Sequence, residues 1–441
     1  MQTLFYDIYS NPLPKRVLFF LSIVFFSFTF IVSYIAYSNY NDPLGAIIEY
    51  GHFVFQSGFV YCALVSFCVI TYFFLKNINE KILYIFTLAI PQLGFLLYDD
   101  GSGYETAYLI LYASSVLFLL FKILIVERPN ALYFWRYLGE FSLFPMLALL
   151  SIYFSGHFND TQYTLGRAHE LLYSQAEQRI TYDAYLYAFD SALGLGLASI
   201  LPLALDNLTL NFALMLAYLG LIGAFMICQY LQRRYTDKSH ADIVSTFALA
   251  GLLSLICYSV FPACGILCLF DTAFPYQLPA PRLDYVAIRH DIPSNAMPSL
   301  HFTWGLMLAF QGLFYGKKAS LFFIINLILI SVATIALGEH FLIDLIVAVP
   351  YTLFIQAICT KSSTIFQKRT RWLSIIASGA LVISWFVFLL KFPSFYYQNS
   401  LLCWLFVLIS TGLSITFFSL LYYAARTHPL RTPDIKNCRH A

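Results

Sequence analysis

Charge is what this sequence has least of. Of its 441 residues, 11% are Asp, Glu, Lys or Arg, where a soluble domain carries about 25%. That deficit excludes an ordinary soluble enzyme. The formal net charge of +2 says nothing about partners, and no basic tract points to nucleic acid. The nine cysteines lack the paired spacing of a metal site. Most, such as Cys62, Cys68, Cys228, Cys257 and Cys403, lie in apolar runs, and Cys264 and Cys268, one helical turn apart, read as small core residues rather than a disulfide. There is no internal repeat at fixed period and no low-complexity tract. The N-terminus does not read as a cleaved signal, because Lys15 and Arg16 precede a run too long for a signal core, with no small-residue cleavage site after it.

What the sequence has instead is apolar length. It is 60% hydrophobic, its mean hydropathy is +0.73, and runs of about 20 apolar residues recur, each long enough to cross a hydrocarbon core as a helix. They predict an all-α polytopic membrane protein with about twelve spans: 17–38, 53–75, 81–98, 105–126, 131–154, 208–231, 242–269, 298–315, 320–338, 340–358, 372–391 and 400–423. The basic residues then fall on alternate loops: Lys15 and Arg16; Lys76 and Lys81; Lys122 and Arg128; Arg233, Arg234 and Lys238; Lys317 and Lys318; Lys361, Lys368, Arg369 and Arg371; Arg426, Arg431, Lys436 and Arg439. The positive-inside rule puts all of these, and both termini, in the cytoplasm. Lys391 is a lone exception. Two long loops face outside. The 155–207 loop carries His157, Arg167, His169, Glu170, Glu177, Arg179 and Asp183 around the aromatic stretch Tyr182–Phe189, part of it expected to lie as a helix on the membrane surface. The 270–297 loop is rich in proline and charge. The many Tyr and Phe residues read as lipid-facing and interfacial belt rather than a cofactor site.

Chemistry concentrates at two outer helix mouths. In Met297-Pro298-Ser299-Leu300-His301, Pro298 suits a first helical turn, where a missing N–H costs nothing. In His340-Phe341-Leu342-Ile343-Asp344 the two polar residues are spaced i, i+4 on one helix face, so the carboxylate can hold one imidazole nitrogen and leave the other free. Both helices enter the membrane from outside, so two positive N-terminal ends face one surface and predict an anion site suited to phosphate. Arg282, in Pro279-Ala280-Pro281-Arg282, adds a candidate bidentate phosphate clamp. The set suits phosphoryl transfer through a phosphohistidine. One His attacks phosphorus while Asp344 fixes its tautomer, the other His moves the proton, and Arg282 with backbone N–H groups stabilises the phosphoryl oxygens. No metal or other cofactor is required.

The motifs at 297–301 and 340–344 resemble the second and third motifs of the type 2 phosphatidic acid phosphatase (PAP2) superfamily. The Ala-Met-Pro-Ser-Leu-His form, the upstream Pro-Ala-Pro-Arg and the His-aromatic-x-x-Asp form are similar to its inositolphosphorylceramide synthase-like branch, and the last motif also resembles that of sphingomyelin synthases. The resemblance covers roughly residues 180–360. It implies a PAP2-like helical core with His340 as nucleophile, Asp344 orienting it, His301 as general acid/base, and Ser299 and Arg282 as phosphate ligands, on phospholipid or other lipid substrates. Lys122 with Arg128-Pro129 imitates the phosphatase branch's first motif, but it is one residue short, far upstream and cytoplasmic. Ala333 and Thr334 stand where that branch has Ser-Arg before its third-motif His. These departures favour transfer over simple hydrolysis. The expected division is an accessory N-terminal bundle over 1–130, a catalytic core over 131–360 and a C-terminal pair with a cytoplasmic tail over 361–441.

Blander readings stand beside these. His301, His340, Glu339 and Asp344 could hold a metal instead; Arg282 could anchor its loop at the headgroups; Arg136 and Glu140 read as a structural pair; Arg167, His169 and Glu170 read as a solvated face. Sequons stand at Asn159 and Asn207. A lipid phosphatase with the same site, and a non-catalytic lipid transporter, are the alternative functions. Few ionisable residues lie at mid-membrane depth, as a transporter would need.

Overall fold

The computed structural model describes residues 78–97, 114, 118, 181–235, 241–285, 294–362 and 364–427. The expected spans 17–38, 53–75, 105–126 and 131–154 lie outside these residues, Ser114 and Phe118 apart, as do Lys122, Arg136, Glu140, Arg167, His169 and Glu170.

The described residues are helical. In chain order the helices are α1 (Ile78–Leu97), α2 (Asp183–Leu193), α3 (Leu197–Ile200), α4 (Leu208–Leu219), α5 (Leu221–Arg234), α6 (Ile243–Val260), α7 (Ile266–Phe270), α8 (Leu300–Gly312), α9 (Lys317–Ala336), α10 (Leu342–Cys359), α11 (Ile365–Lys391), α12 (Pro393–Gln398) and α13 (Ser400–Thr427). Four of them, α9, α10, α11 and α13, are long and apolar enough to cross a membrane, and the pair α4 and α5 makes a fifth if counted as one bent span. Rows of exposed side chains such as Leu321, Ile324 and Ile328 on α9, and Leu401, Leu405 and Leu408 on α13, suit lipid and not water. These helices mark a membrane protein.

The polar residues that punctuate the apolar runs set the helix ends. Asn207, one of the sequon positions, caps α4 by accepting from Leu210 N at 3.0 Å. Asp242 caps α6 through Ser245 N at 3.0 Å, and Thr364 with Gln367 forms a reciprocal capping box on α11. Two expected spans differ from the structure. The 208–231 run is broken at Gly220 into α4 and α5, bent by 54°. The 242–269 run ends as helix at Val260, because Pro262 lacks the N–H that would continue it. From the 155–207 loop, part of which is expected to lie at the membrane surface, α2 packs inside the bundle, with Leu186, Ala188 and Phe189 fully buried, while residues 155–180 lie outside the described ones.

The helix at the centre is α10. Its most apolar window is 72% buried, against 33% for α9, 28% for α11 and 22% for α13, and it packs on α2, α6, α8, α11 and α13. Both its ends are held by charged side chains. At the C-terminal end the buried Arg371 donates from Nε to Ala357 O at 3.0 Å and from Nη2 to Ile358 O at 2.9 Å, which matches a cation to the negative end of the helix dipole. The C-terminal helices share a core with the 297–301 and 340–344 motifs: Trp385, Leu389, Tyr396 and Cys403 join Phe189, Met297, Phe341 and Ile343 in one buried cluster.

Candidate active site

The mouths of α8 and α10 lie side by side. Ser299 N donates to Asp344 O at 3.3 Å, and the His301 and His340 ring centroids are 6.3 Å apart. Two motifs about forty residues apart in the chain therefore meet at one point, as their matched position on two inward helices predicts.

Backbone geometry fixes His340. Its N–H donates to Thr334 O at 3.2 Å, and Leu267 N donates to Gly338 O at 3.0 Å. Gly265 (φ +103°) and Gly338 (φ +74°) let these two turns touch: a Cβ on Gly265 would come 2.4 Å from Glu339 O, and one on Gly338 would come 2.9 Å from the Leu267 Cβ and from the Phe274 ring. The His340 ring is 5% exposed residue-wide and Asp344 is fully buried. Nδ1 of His340 lies 3.4 Å from Asp344 Oδ2. That is an ion-pair separation rather than a formed hydrogen bond, and among the described residues His340 Nδ1 and Asp344 Oδ1 are both buried without a hydrogen-bond partner. Asp344 Oδ2 instead accepts from Phe341 N at 2.8 Å. Catalytic hydrogen bonds are often long in the unliganded state and tighten when substrate binds.

His301 is held by ring faces. Tyr218 stacks on it at 4.0 Å between centroids, and Trp304, three residues along α8, stands edge-on at 6.4 Å. Ser299, expected as a phosphate ligand, is fully buried and serves as the N-cap of α8, with Oγ accepting from Phe302 N at 3.4 Å. Arg282 is at the loop surface. It makes two hydrogen bonds to Asp284, at 3.0 and 2.6 Å, and lies over the Tyr285 ring at 5.8 Å. The side chains of the pair are 65% and 67% exposed. The pairing raises the Arg282 pKa and holds the Asp284 carboxyl below its usual range. The structure thus brings His301, His340 and Asp344 together and pairs Arg282 with Asp284 instead, on a loop tied down by Tyr187 to Pro279 O and Tyr397 to Pro281 O.

Two residues that the sequence reading passed over build the site. Asp183 and Asp190 stand seven apart, two turns, on one face of α2. Asp183 accepts from Cys264 N at 2.9 Å and Gly265 N at 2.8 Å, which fixes the turn that touches Glu339. Asp190 accepts from Leu342 N at 2.6 Å and Ile343 N at 2.9 Å. One helix therefore grips the start of α10 just after His340 and also the Gly265 turn that packs against Glu339. This bears on the expected anion site, since the first N–H groups of α10 are already taken by Asp190 and Asp344, and at α8 the Ser299 cap takes Phe302 N. A signal existed: two acidic residues at helical spacing in an aromatic stretch of a charge-poor chain.

Among the described residues no three His, Cys, Asp or Glu side chains are arranged to hold a metal ion. Cys264 and Cys268 are buried and not joined to each other. No curated protein and no solved structure matches the chain. Residues 184–358, from the first turn of α2 to the last of α10 and so including every one of the site residues named above except Asp183, match the family model described as the PAP2 superfamily.

Proposed function

We propose that the protein is a membrane phosphotransferase that moves a phosphate-bearing headgroup from a lipid donor to an acceptor alcohol or lipid, on the non-cytoplasmic face, in the manner of the inositolphosphorylceramide synthase-like branch. The observation that carries the reading is the pair of imidazoles 6.3 Å apart with a buried carboxylate beside one of them. Rings this close can act on one phosphoryl group, His340 on phosphorus and His301 on the leaving oxygen. The PAP2 match supports phosphatase or phosphotransferase chemistry on lipid-like substrates.

In the first step Nε2 of His340 attacks phosphorus, a P–N bond forms and the P–O bond to the leaving alcohol breaks. His301 gives its proton to the departing oxygen. The phosphorylated ring is a cation at Nδ1–H, and Asp344, whose Oδ1 has no other partner among the described residues, accepts from it. In the second step neutral His301 takes the proton of the acceptor hydroxyl, whose oxygen attacks phosphorus and breaks the P–N bond, returning His340 to its starting state. Arg282 joins the phosphate when Asp284 releases it. Water as acceptor gives the hydrolase.

The test is purified protein in lipid nanodiscs with radiolabelled phospholipids and chelated divalent metals, wild type beside His340→Ala, with and without acceptor alcohols. Label in a new lipid, only with wild type and acceptor, is the expected result. Release of phosphate or phosphoalcohol to water alone would move the reading to a phosphatase. Lipid movement equal in the mutant and without turnover would replace it with a transporter.

A further inference from the structure

The stack of Tyr218 on His301 has no part in the transfer chemistry as written above, yet it is built with care. The two rings are 4.0 Å apart and 17° from parallel. Tyr218 comes from the last turn of α4, just before the bend. Gly220 N donates to Leu216 O at 2.8 Å, and a Cβ at Gly220 would lie 2.3 Å from that same oxygen, so the bend that presents Tyr218 needs a glycine. Leu214, Ala333 and Ala336 form a buried cluster, and Tyr218, Leu201, Leu329 and Val332 pack against it. The same stretch of α9 leads into Thr334, whose carbonyl holds His340. Tyr218 and His340 are thus registered on one support. The titratable groups around the stack are Glu339 and Tyr258, which face Tyr218, and His340, which faces His301.

We infer that Tyr218 is a positioning residue for the proton-transfer step, its π face holding the His301 ring toward His340 and stabilising the protonated ring that serves as the acid. This rests on the phosphoryl-transfer reading. The physical ground is that a cation over an aromatic face is attracted by the ring quadrupole, whereas a charge moved out of water without a partner is costly. The neutral ring gains less from the stack, so the contact favours the form of His301 that gives its proton to the leaving oxygen. Tyr218 makes and breaks no bond itself.

General acid catalysis counts most when the leaving group is a poor one, and that separates positioning from mere packing. The experiment uses the full chain in nanodiscs and two lipid phosphodiester probes with the same acyl part, one releasing an alkyl alcohol and one releasing nitrophenol. Wild type, Tyr218→Phe, Tyr218→Leu and His340→Ala are compared. Tyr218→Phe keeps the stack and is expected within about twofold of wild type on both probes. Tyr218→Leu is expected to lose about 10- to 100-fold in kcat on the alkyl probe, less than about threefold on the nitrophenyl probe, with KM little changed on either. Equal losses on the two probes, or a Tyr218→Phe variant as impaired as Tyr218→Leu, would overturn the inference and leave the phosphohistidine reading standing. Turnover by His340→Ala at the wild-type rate, or none by wild type, would overturn that reading and the inference with it.

Discussion

The mouth of α10 and the mouth of α8 meet at one site but are made from different forces. Around His340 the contacts are hydrogen bonds to backbone: Thr334 O, the Gly265–Gly338 contact, and three carboxylates, Asp183, Asp190 and Asp344, that take up backbone N–H groups. Around His301 they are aromatic faces and edges, from Tyr218 and Trp304. A nucleophile must stay in one place and one tautomer, which directional bonds enforce. A group that gives up and regains a proton changes its charge, and ring faces can hold it in both states.

The largest effect expected on this contrast is at His340. His340→Ala should remove turnover by at least about 10⁴-fold, measured as label transfer, because in the proposed mechanism His340 holds the phosphoryl group. Asp344→Asn comes next, at about 10²- to 10⁴-fold in kcat with little change in binding, since the amide keeps the shape but offers the wrong hydrogen-bond pattern to Nδ1. If Asp344→Asn proved harmless, the polar side of the comparison would be scaffold alone.

Asp190→Ala should act on stability first. Loss of the carboxylate from two α10 N–H groups is expected to cost about 2 kcal/mol, read as a lower unfolding temperature in detergent, while Asp190→Asn should recover part of it. The smallest effect is at the exposed loop. Arg282→Ala is expected to raise KM about 3- to 10-fold with kcat nearly unchanged, and Asp284→Asn to leave KM equal to or below wild type. Because Asp284 is held below the usual carboxylate range by Arg282, the pair persists at neutral pH and is lost as pH falls through that depressed value. The KM difference between wild type and Asp284→Asn should therefore close in acid. An Arg282→Ala variant that matches wild type would return Arg282 to a loop anchor.

Much of this was legible without coordinates. Apolar runs of about 20 residues with little charge point to helices, because a single segment satisfies its own backbone in lipid only as a helix, and four long apolar helices are found among the described residues. The i, i+4 spacing of His340 and Asp344 puts both on one helix face in any α-helix. Less legible were the breaks. Hydropathy does not register Gly220 or Pro262, which change backbone geometry while leaving the apolar run intact. Ser299 looked like a ligand because its helix-capping bond is local and leaves no separate mark in the pattern.

By itself, then, the sequence determined the helical membrane architecture of the described region and singled out two imidazoles and a carboxylate beside one of them as candidates, since these follow from periodicity and spacing along a single chain. Only the tertiary structure decided what holds them: Asp190 reaches α10 from 152 positions away, Asp183 reaches Cys264 from 81 away, and Tyr218 covers His301 from another helix. Such contacts depend on where helices cross, which side-chain packing settles and one-dimensional spacing does not.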